Sequence, residues 1–217
     1  VMWSPVEMTA LAEAEVEYKD VTSTAIYVRF PVVKGSGDAL KGSSIIIWTT
    51  TPWTIPGNRA VAFGPDIVYG LYEIEAIKPE SLMVQGERVV LAEALAEAFA
   101  ERAGVEKWRL ISKVLGEELS GTLTHHPLFE SGYPIEAPLY GGDFVSTEQG
   151  TGFVHIAPGH GADDFELGRR HGLEVPETVS DSGSFLPEIP LFGGAHVYKV
   201  NPDVILQLQE YGKLVAS

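Results

Sequence analysis

GTGFVHIAPGHGADD, residues 150 to 164, decides how the chain is read, because Gly, His, Pro and acidic residues crowd there into one apolar setting. Phe153, Val154 and Ile156 have the aromatic and β-branched character of a buried strand, introduced by Gly150 and Gly152 and ended at Pro158-Gly159. From Asp163 a helix is predicted: Phe165 and Leu167 are apolar, Arg169 and Arg170 fall in its last turn, and Gly172 is its C-cap. Asp163 and Asp164 then occupy the first turn, where unpaired backbone N–H groups and the helix dipole favour an ionised carboxylate. An anion fixed at a strand-loop-helix junction is suited to capture a cation such as a substrate ammonium.

With 217 residues, 45% hydrophobic content and a mean hydropathy of +0.07, the composition is that of one ordinary globular domain with appendages. No apolar run approaches the roughly 20 residues that a bilayer span needs, and the N-terminus lacks signal-peptide character, so a cytoplasmic protein without membrane contact is expected. The absence of cysteine excludes disulfides and thiolate metal sites. A net charge of −15, from 30 acidic and 15 basic residues, argues against phosphate attraction as the main source of affinity. Contact with a nucleic acid is expected only at an end.

Strands are predicted at 11–18, 25–33, 44–51, 59–63, 67–77 and 88–91, with a polar Gly/Ser loop at 34–44. Leu91 to Arg102 reads as a helix with Leu91, Leu95, Ala98 and Phe99 on one face. Residues 105–119 are mixed, residues 122–140 read as a Pro-interrupted loop with a solvated His125-His126 pair, and residues 174–190 read as loop. A last helix over 204–211 ends at Gly212. The expected fold class is mixed α and β, β-rich: a closed or nearly closed β-barrel core with peripheral helices. The missing start Met suggests a piece of a longer chain, with 1–20 and 201–217 as connecting segments and a monomeric state.

The candidate site residues each carry two readings. Thr49, Thr50 and Thr51 suit a strand end, or present hydroxyls that orient a water or polarise a carbonyl where Pro52 breaks the strand. Trp53 is a core residue or a pocket wall. His155 is a satisfied core histidine, a general base, a metal ligand or a steric gate. With His160 and Asp164 it forms His-x4-His-x3-Asp, an N,N,O set with weak spacing for a metal. Gly150-x-Gly152 lacks the remainder of any phosphate-loop pattern, and the Lys107–Arg109 and Arg169–Arg170 groups read as wet surface.

WTTTPWTIPGN at 48–58 and GTGFVHIAPGHGADDF at 150–165 closely resemble the two signature segments of the editing domain inserted in class I isoleucyl-tRNA synthetases. Valyl and leucyl relatives carry Arg-Pro after the Thr pair and Pro-Ala-His-Asp in the second segment, so TTTPWT with APGHG is similar to the isoleucyl branch. The likeness extends to LAEAEVEY at 11–18 and to the acidic-Gly-Phe passage at 181–185, whose loop differs in detail. The ATP-site signatures of these synthetases are absent, so amino-acid activation is not expected. The resemblance implies hydrolysis of valine mis-attached to the 3′ end of isoleucine tRNA, with valyl-adenylate as a second candidate substrate, and no cofactor. It implies Asp164 as the residue for the α-ammonium, with Thr49, Thr50 and Thr51 along the scissile ester and Thr51 placing the water. Trp53 and His155 become side-chain walls, and Asn58 lies near the terminal adenosine. The implied partners are the aminoacylated tRNA end, the valine moiety and the remainder of a synthetase. The rival readings are a metal-dependent hydrolase built on His155, His160 and Asp164, and a non-catalytic tRNA-docking module.

Overall fold

The computed structural model of the chain describes residues 2–35 and 37–217. Val1, and Ser36 within the expected 34–44 loop, lie outside the described residues. The strands are β1 (Trp3–Ser4), β2 (Thr9–Ala10), β3 (Ile26–Lys34), β4 (Ser44–Thr49), β5 (Ala60–Phe63), β6 (Val68–Ile77), β7 (Arg88–Ala92), β8 (Val105–Leu115), β9 (Leu123–His125), β10 (Glu136–Gly141), β11 (Phe153–Ile156) and β12 (Leu214–Ala216). The α-helices are α1 (Ala96–Ala103), α2 (Ala162–His171) and α3 (Asn201–Glu210).

β1 and β2 make a small ribbon, and the others form one ten-stranded sheet in the order β11-β5-β10-β9-β3-β4-β7-β6-β8, with β12 also paired to β3. β3 is its centre: Ile26, Val28, Phe30 and Val32 alternate into the main core, while on the opposite face Arg29 is buried and Tyr27 half-buried against the second cluster. Its edge opposite β4 is shared, β12 pairing at Tyr27–Val28 and β9 at Val32–Lys34. The main core runs from β3 and β4 through β5, β7 and β10 to α3. A second cluster packs Phe99 and Ala103 of α1 against Ile46, Ile74 and Leu91, and a third seats Leu167 of α2 on Ala60, Ala62 and Ile156.

The sheet does not close, so the barrel expectation is not met. Its path ends at β11 on one side and at β8 on the other, without a ladder between them among the described residues. β8 keeps its outer side wet with Lys107, Arg109 and Lys113, ion-paired to Glu75, Glu73 and Glu93. Charges on an edge strand oppose addition of another strand. The opposite end of the sheet curls back instead. The Ala92 N–H donates to the Thr151 carbonyl at 2.8 Å, and the Tyr69 hydroxyl donates to the Gly152 carbonyl at 2.5 Å. Gly152 makes this approach possible: its φ is +78°, and a Cβ there would collide with the Ala92 side chain.

Other expectations change as well. Leu11–Tyr18 is not a strand but a largely exposed stretch holding a 3₁₀ turn at Glu13–Glu15: Leu11 and Val16 are only half-buried, and Tyr18 is exposed. The helix predicted from Leu91 starts later, since the β6 ladder claims Leu91 and Ala92 and a 3₁₀ turn at Glu93–Leu95 intervenes. Within the segment 105–119, left mixed, β8 runs for 11 residues. The supposed loop 122–140 contains β9 and β10, and His126 is fully buried rather than solvated. Residues 201–217, expected as a connecting segment, supply Val204, Leu208 and Leu214 to the main core. Among the described residues no helix is long and apolar enough to cross a membrane.

Candidate functional site

The site forms because β5 and β11 pair antiparallel, with Ile156 opposite Ala60 and Phe153 opposite Phe63. The start of β5, where the Thr-rich turn empties, therefore meets the end of β11, where the chain turns toward α2. The Arg59 N–H donating to the Ile156 carbonyl at 2.8 Å fastens that corner. β4 stops at Thr49 because Pro52 has no N–H for a ladder, and Pro52–Gly57 curls into a 3₁₀ turn.

A cavity of about 250 Å³ opens at this corner, lined by Trp48, Thr49, Thr50, Thr51, Thr54, Val154, His155, Ala157, His160 and Asp164. Two stretches roughly a hundred residues apart are thus brought together. Among the described lining residues Asp164 is the carboxylic acid, and there is no Lys or Arg. Thr49 is buried, and its hydroxyl accepts the Thr51 N–H at 3.1 Å and lies 3.2 Å from the Thr51 hydroxyl. Thr50 is half-buried and Thr51 exposed. The Thr54 hydroxyl donates to the Thr51 carbonyl at 2.8 Å, a side-chain-closed turn that leaves the Thr run out of strand geometry.

His155 is held at both ring nitrogens. Asn58 Nδ2 donates to the Ala60 carbonyl at 2.9 Å and to His155 Nδ1 at 3.3 Å, while His155 Nε2 lies 2.8 Å from the Thr54 hydroxyl. With the Asn58 amide on Nδ1 and the Thr54 proton committed to Thr51, the consistent assignment is a neutral ring carrying its proton on Nε2. That leaves no lone pair for a metal or for a proton from the cavity. His160 Nε2 faces the Thr178 hydroxyl at 2.9 Å, and its ring meets Trp53 edge-on at 5.0 Å. Among the described residues no group of three or more His, Asp or Glu converges as a metal-ligand set, and the His155, His160 and Asp164 side chains serve other partners.

Asp164 stands in the first turn of α2, as expected, and its Oδ1 accepts the Ala157 N–H at 2.8 Å. Gly161 ahead of it gives it room, since a Cβ there would collide with Asp164 Oδ2. The expectation of a readily ionised carboxylate is corrected. Burial pushes the Asp164 carboxyl above its ordinary range, the Ala157 and Asp164 amides pull it back, and Asp163 adds repulsion. A cation entering the cavity would relieve that burial cost.

Two of the expected site residues do not line the cavity. Trp53 turns away, packing on the main core and on His160, and its backbone N–H donates to Asn201 Oδ1 at 3.0 Å. Asn58 is fully buried behind His155 and reaches the cavity only through that ring. Trp48, Thr54, Val154 and Ala157 were missed. Thr54 had a legible signal, a fourth Thr three residues after Thr51, the spacing of a hydroxyl that closes a turn on a backbone carbonyl.

Burial pulls the His155 imidazole down to about 4, with His160 repelling its charged form, and pulls His126 down to about 3. Both rings are neutral in the fold but protonate in the unfolded chain below about pH 6.5, so folding stability is lost as pH falls from there toward the folded values. The expected slope approaches about 1.4 kcal/mol per pH unit for each ring. Urea titrations between those limits check it: His155→Gln should flatten the slope by one ring's share, and an unchanged slope would refute the assignment.

The chain is 47% identical over 212 residues to an isoleucine–tRNA ligase of Gluconobacter oxydans, covering 97% of this chain and 22% of that ligase. It is 44% identical over 234 residues to the isoleucine–tRNA ligase of Caulobacter vibrioides, covering 100% and 24%. In fold it is similar to the CP1 domain of a leucyl-tRNA synthetase, GlLeuRS, with a TM-score of 0.66 at 15% identity over 89% of this chain and 99% of that one. It is also similar to the editing domain of the P. knowlesi cytosolic leucyl-tRNA synthetase, with a TM-score of 0.63 at 12% identity over 90% and 97%. No family model matches the chain. A chain this close in sequence to those ligases, over less than a quarter of their length, belongs to the isoleucine–tRNA ligase family, and its fold is that of the CP1 editing domains of leucyl-tRNA synthetases.

Proposed function

We propose that the chain is a proofreading hydrolase that releases valine mis-attached to the 3′ end of isoleucine tRNA, with valyl-adenylate as a second candidate substrate. The observation that carries this reading is that the Thr49–Thr51 run, His155 and Asp164 line one cavity. Asp164 holds the α-ammonium and so fixes the acyl carbon next to the hydroxyls of Thr50 and Thr51. Thr51 positions a water whose oxygen adds to the ester carbonyl. The acyl C–O bond then breaks, and the 3′ oxygen departs with a proton that came from the water. The engaged nitrogens of His155 support a steric role over that of general base, leaving the substrate's own ribose hydroxyl to relay the proton. Positioning and polar stabilisation carry the rate.

Side-chain selection falls to His155, Val154 and Trp48, with Asn58 and Trp53 acting from behind. A hydrophobic pocket discriminates one methylene by only about 1–3 kcal/mol, a limit for which isoleucyl-tRNA synthetases are themselves the standard case, so a second site that excludes by bulk is the remedy. The acidic composition fits a domain whose tRNA is gripped chiefly by the rest of a ligase.

The test is incubation of the chain, in excess, with valyl- and isoleucyl-esters of isoleucine tRNA. Valine is expected to be released and isoleucine retained, and His155→Ala is expected to release both. Valine release no faster than without protein would sink the reading and favour a docking module.

A further inference from the structure

We propose that His126 is a positioning residue for the candidate site, a brace that holds the Pro52–Gly57 turn at the Ile55 carbonyl and thereby sets where Thr51, Thr54 and His155 stand. The kinetic part rests on the editing reading above; the geometric part does not. His126 is fully buried, and its Nε2 lies 2.8 Å from the Ile55 carbonyl, 71 positions earlier in the chain. Its Nδ1 accepts the Leu128 N–H at 3.0 Å, which fixes the proton on Nε2 and makes the Ile55 contact a donated bond.

The turn does not need this bond to close. Ile55 already accepts the Asn58 N–H at 2.9 Å, so the imidazole adds a second donor from outside. An apolar side chain would fill the space without the cost of burying a ring with two polar nitrogens, so the directional bond is what the histidine contributes. The brace is itself supported: the ring stacks on Tyr133 at 4.8 Å, and the Tyr133 hydroxyl donates to the Pro190 carbonyl at 2.7 Å. Asn201 holds the same turn at the Trp53 N–H. Between these anchors sits Thr54, which touches both the Thr51 carbonyl and His155.

Two substitutions separate the brace from simple packing. His126→Gln carries an amide donor out to the Nε2 position, whereas His126→Asn can replace Nδ1 toward Leu128 but falls short of Ile55. In His126→Asn the ring-nitrogen resonances of His155, linked to His126 through the turn and Thr54, are expected to leave their Nε2-protonated pattern. Its kcat for valine release is expected to fall about 10- to 100-fold with KM little changed, since Asp164 still binds the ammonium. His126→Gln is expected to restore both readouts. Wild-type His155 resonances and kcat in folded His126→Asn, or equal losses in both variants, would overturn the proposal. Should neither variant fold, the unmodified protein decides: His126 must show a slowly exchanging Nε2 proton, and protonation on Nδ1 overturns the brace. If the wild-type chain releases no valine, the editing reading fails while the nitrogen resonances still judge the brace.

Discussion

Replacing Asp164 by Asn is expected to lower kcat/KM for valyl-tRNA hydrolysis by about 100-fold, the equivalent of roughly 3 kcal/mol, without unfolding the chain. Asn keeps an oxygen for the Ala157 N–H and the volume of the side chain, so α2 stays in place. What it removes is the charge proposed to meet the substrate ammonium in a partly desolvated cavity. The sign of the stability effect follows from the raised pKa. A carboxyl harder to ionise in the fold than in the unfolded chain costs stability above its unfolded pKa, and that cost fades as pH falls. Asp164→Asn should therefore be as stable as the wild type or slightly more stable near neutral pH. Substrate affinity in the wild type should rise as pH climbs through the Asp164 pKa, a rise the variant lacks. Steady-state kinetics across pH, with urea titrations beside them, check both halves, and a variant with wild-type kcat/KM would remove Asp164 from the mechanism.

The second large effect concerns the fold. Arg29→Met is expected to cost about 3 kcal/mol of stability, near the lower end for breaking a buried ion pair. Arg29 lies on β3 at 6% exposure and binds Glu87 through Nε and Nη2, both at 2.8 Å. Nη2 also donates to the Leu82 carbonyl at 2.7 Å, and Nη1 to the carbonyls of Leu214 at 2.8 Å and Gly212 at 3.3 Å. One guanidinium thus ties the central strand to the 82–87 loop and to β12. Methionine fills the space but strands Glu87, whose Oε1 also accepts the Val84 N–H at 2.6 Å. Adding Glu87→Leu should recover part of the loss, because an absent pair costs less than half of one. Denaturant titration of the two single variants and the double variant checks this, and strictly additive losses would contradict the coupling.

The stretch from Gly150 to Gly172 was legible because its signals are local: glycines flank an apolar strand, acidic residues open the helix, and a left-handed Gly172 closes it. β8 was not. Its pairing with β6 shifts register at Leu71/Tyr72, Ile74/Ala76 and Ala76/Ile77; the first and last place an extra residue in β8, which breaks the period-two alternation by which a strand is recognised. Its charges answer glutamates on β6 and Glu93 that no local window reveals. Leu91 fitted the helical spacing, yet its backbone belongs to a ladder with Gly70. His126 looked wet beside Pro127, yet its partner is a carbonyl far away in the chain.

The candidate site was legible as chemistry and less so as geometry. The Thr run, His155 and Asp164 share one cavity, but Trp53 faces inward and Asn58 lies a layer deeper. Side-chain direction across a 3₁₀ turn depends on what packs behind it, here Asn201, His126 and His160, and none of these is near in sequence. The raised pKa of Asp164 has the same origin, since burial comes from the fold and not from its place in a helix.

The central claim is that Asp164 grips an amino acid's nitrogen while the threonine run faces its ester. A crystal structure of the chain with a non-hydrolysable valyl-adenosine analogue reads this directly. The ammonium is predicted within hydrogen-bond distance of the Asp164 carboxylate, with the acyl carbonyl toward Thr50 and Thr51 and the isopropyl group against His155. An analogue bound outside this cavity, or inside it with its ammonium turned away from Asp164, would contradict it.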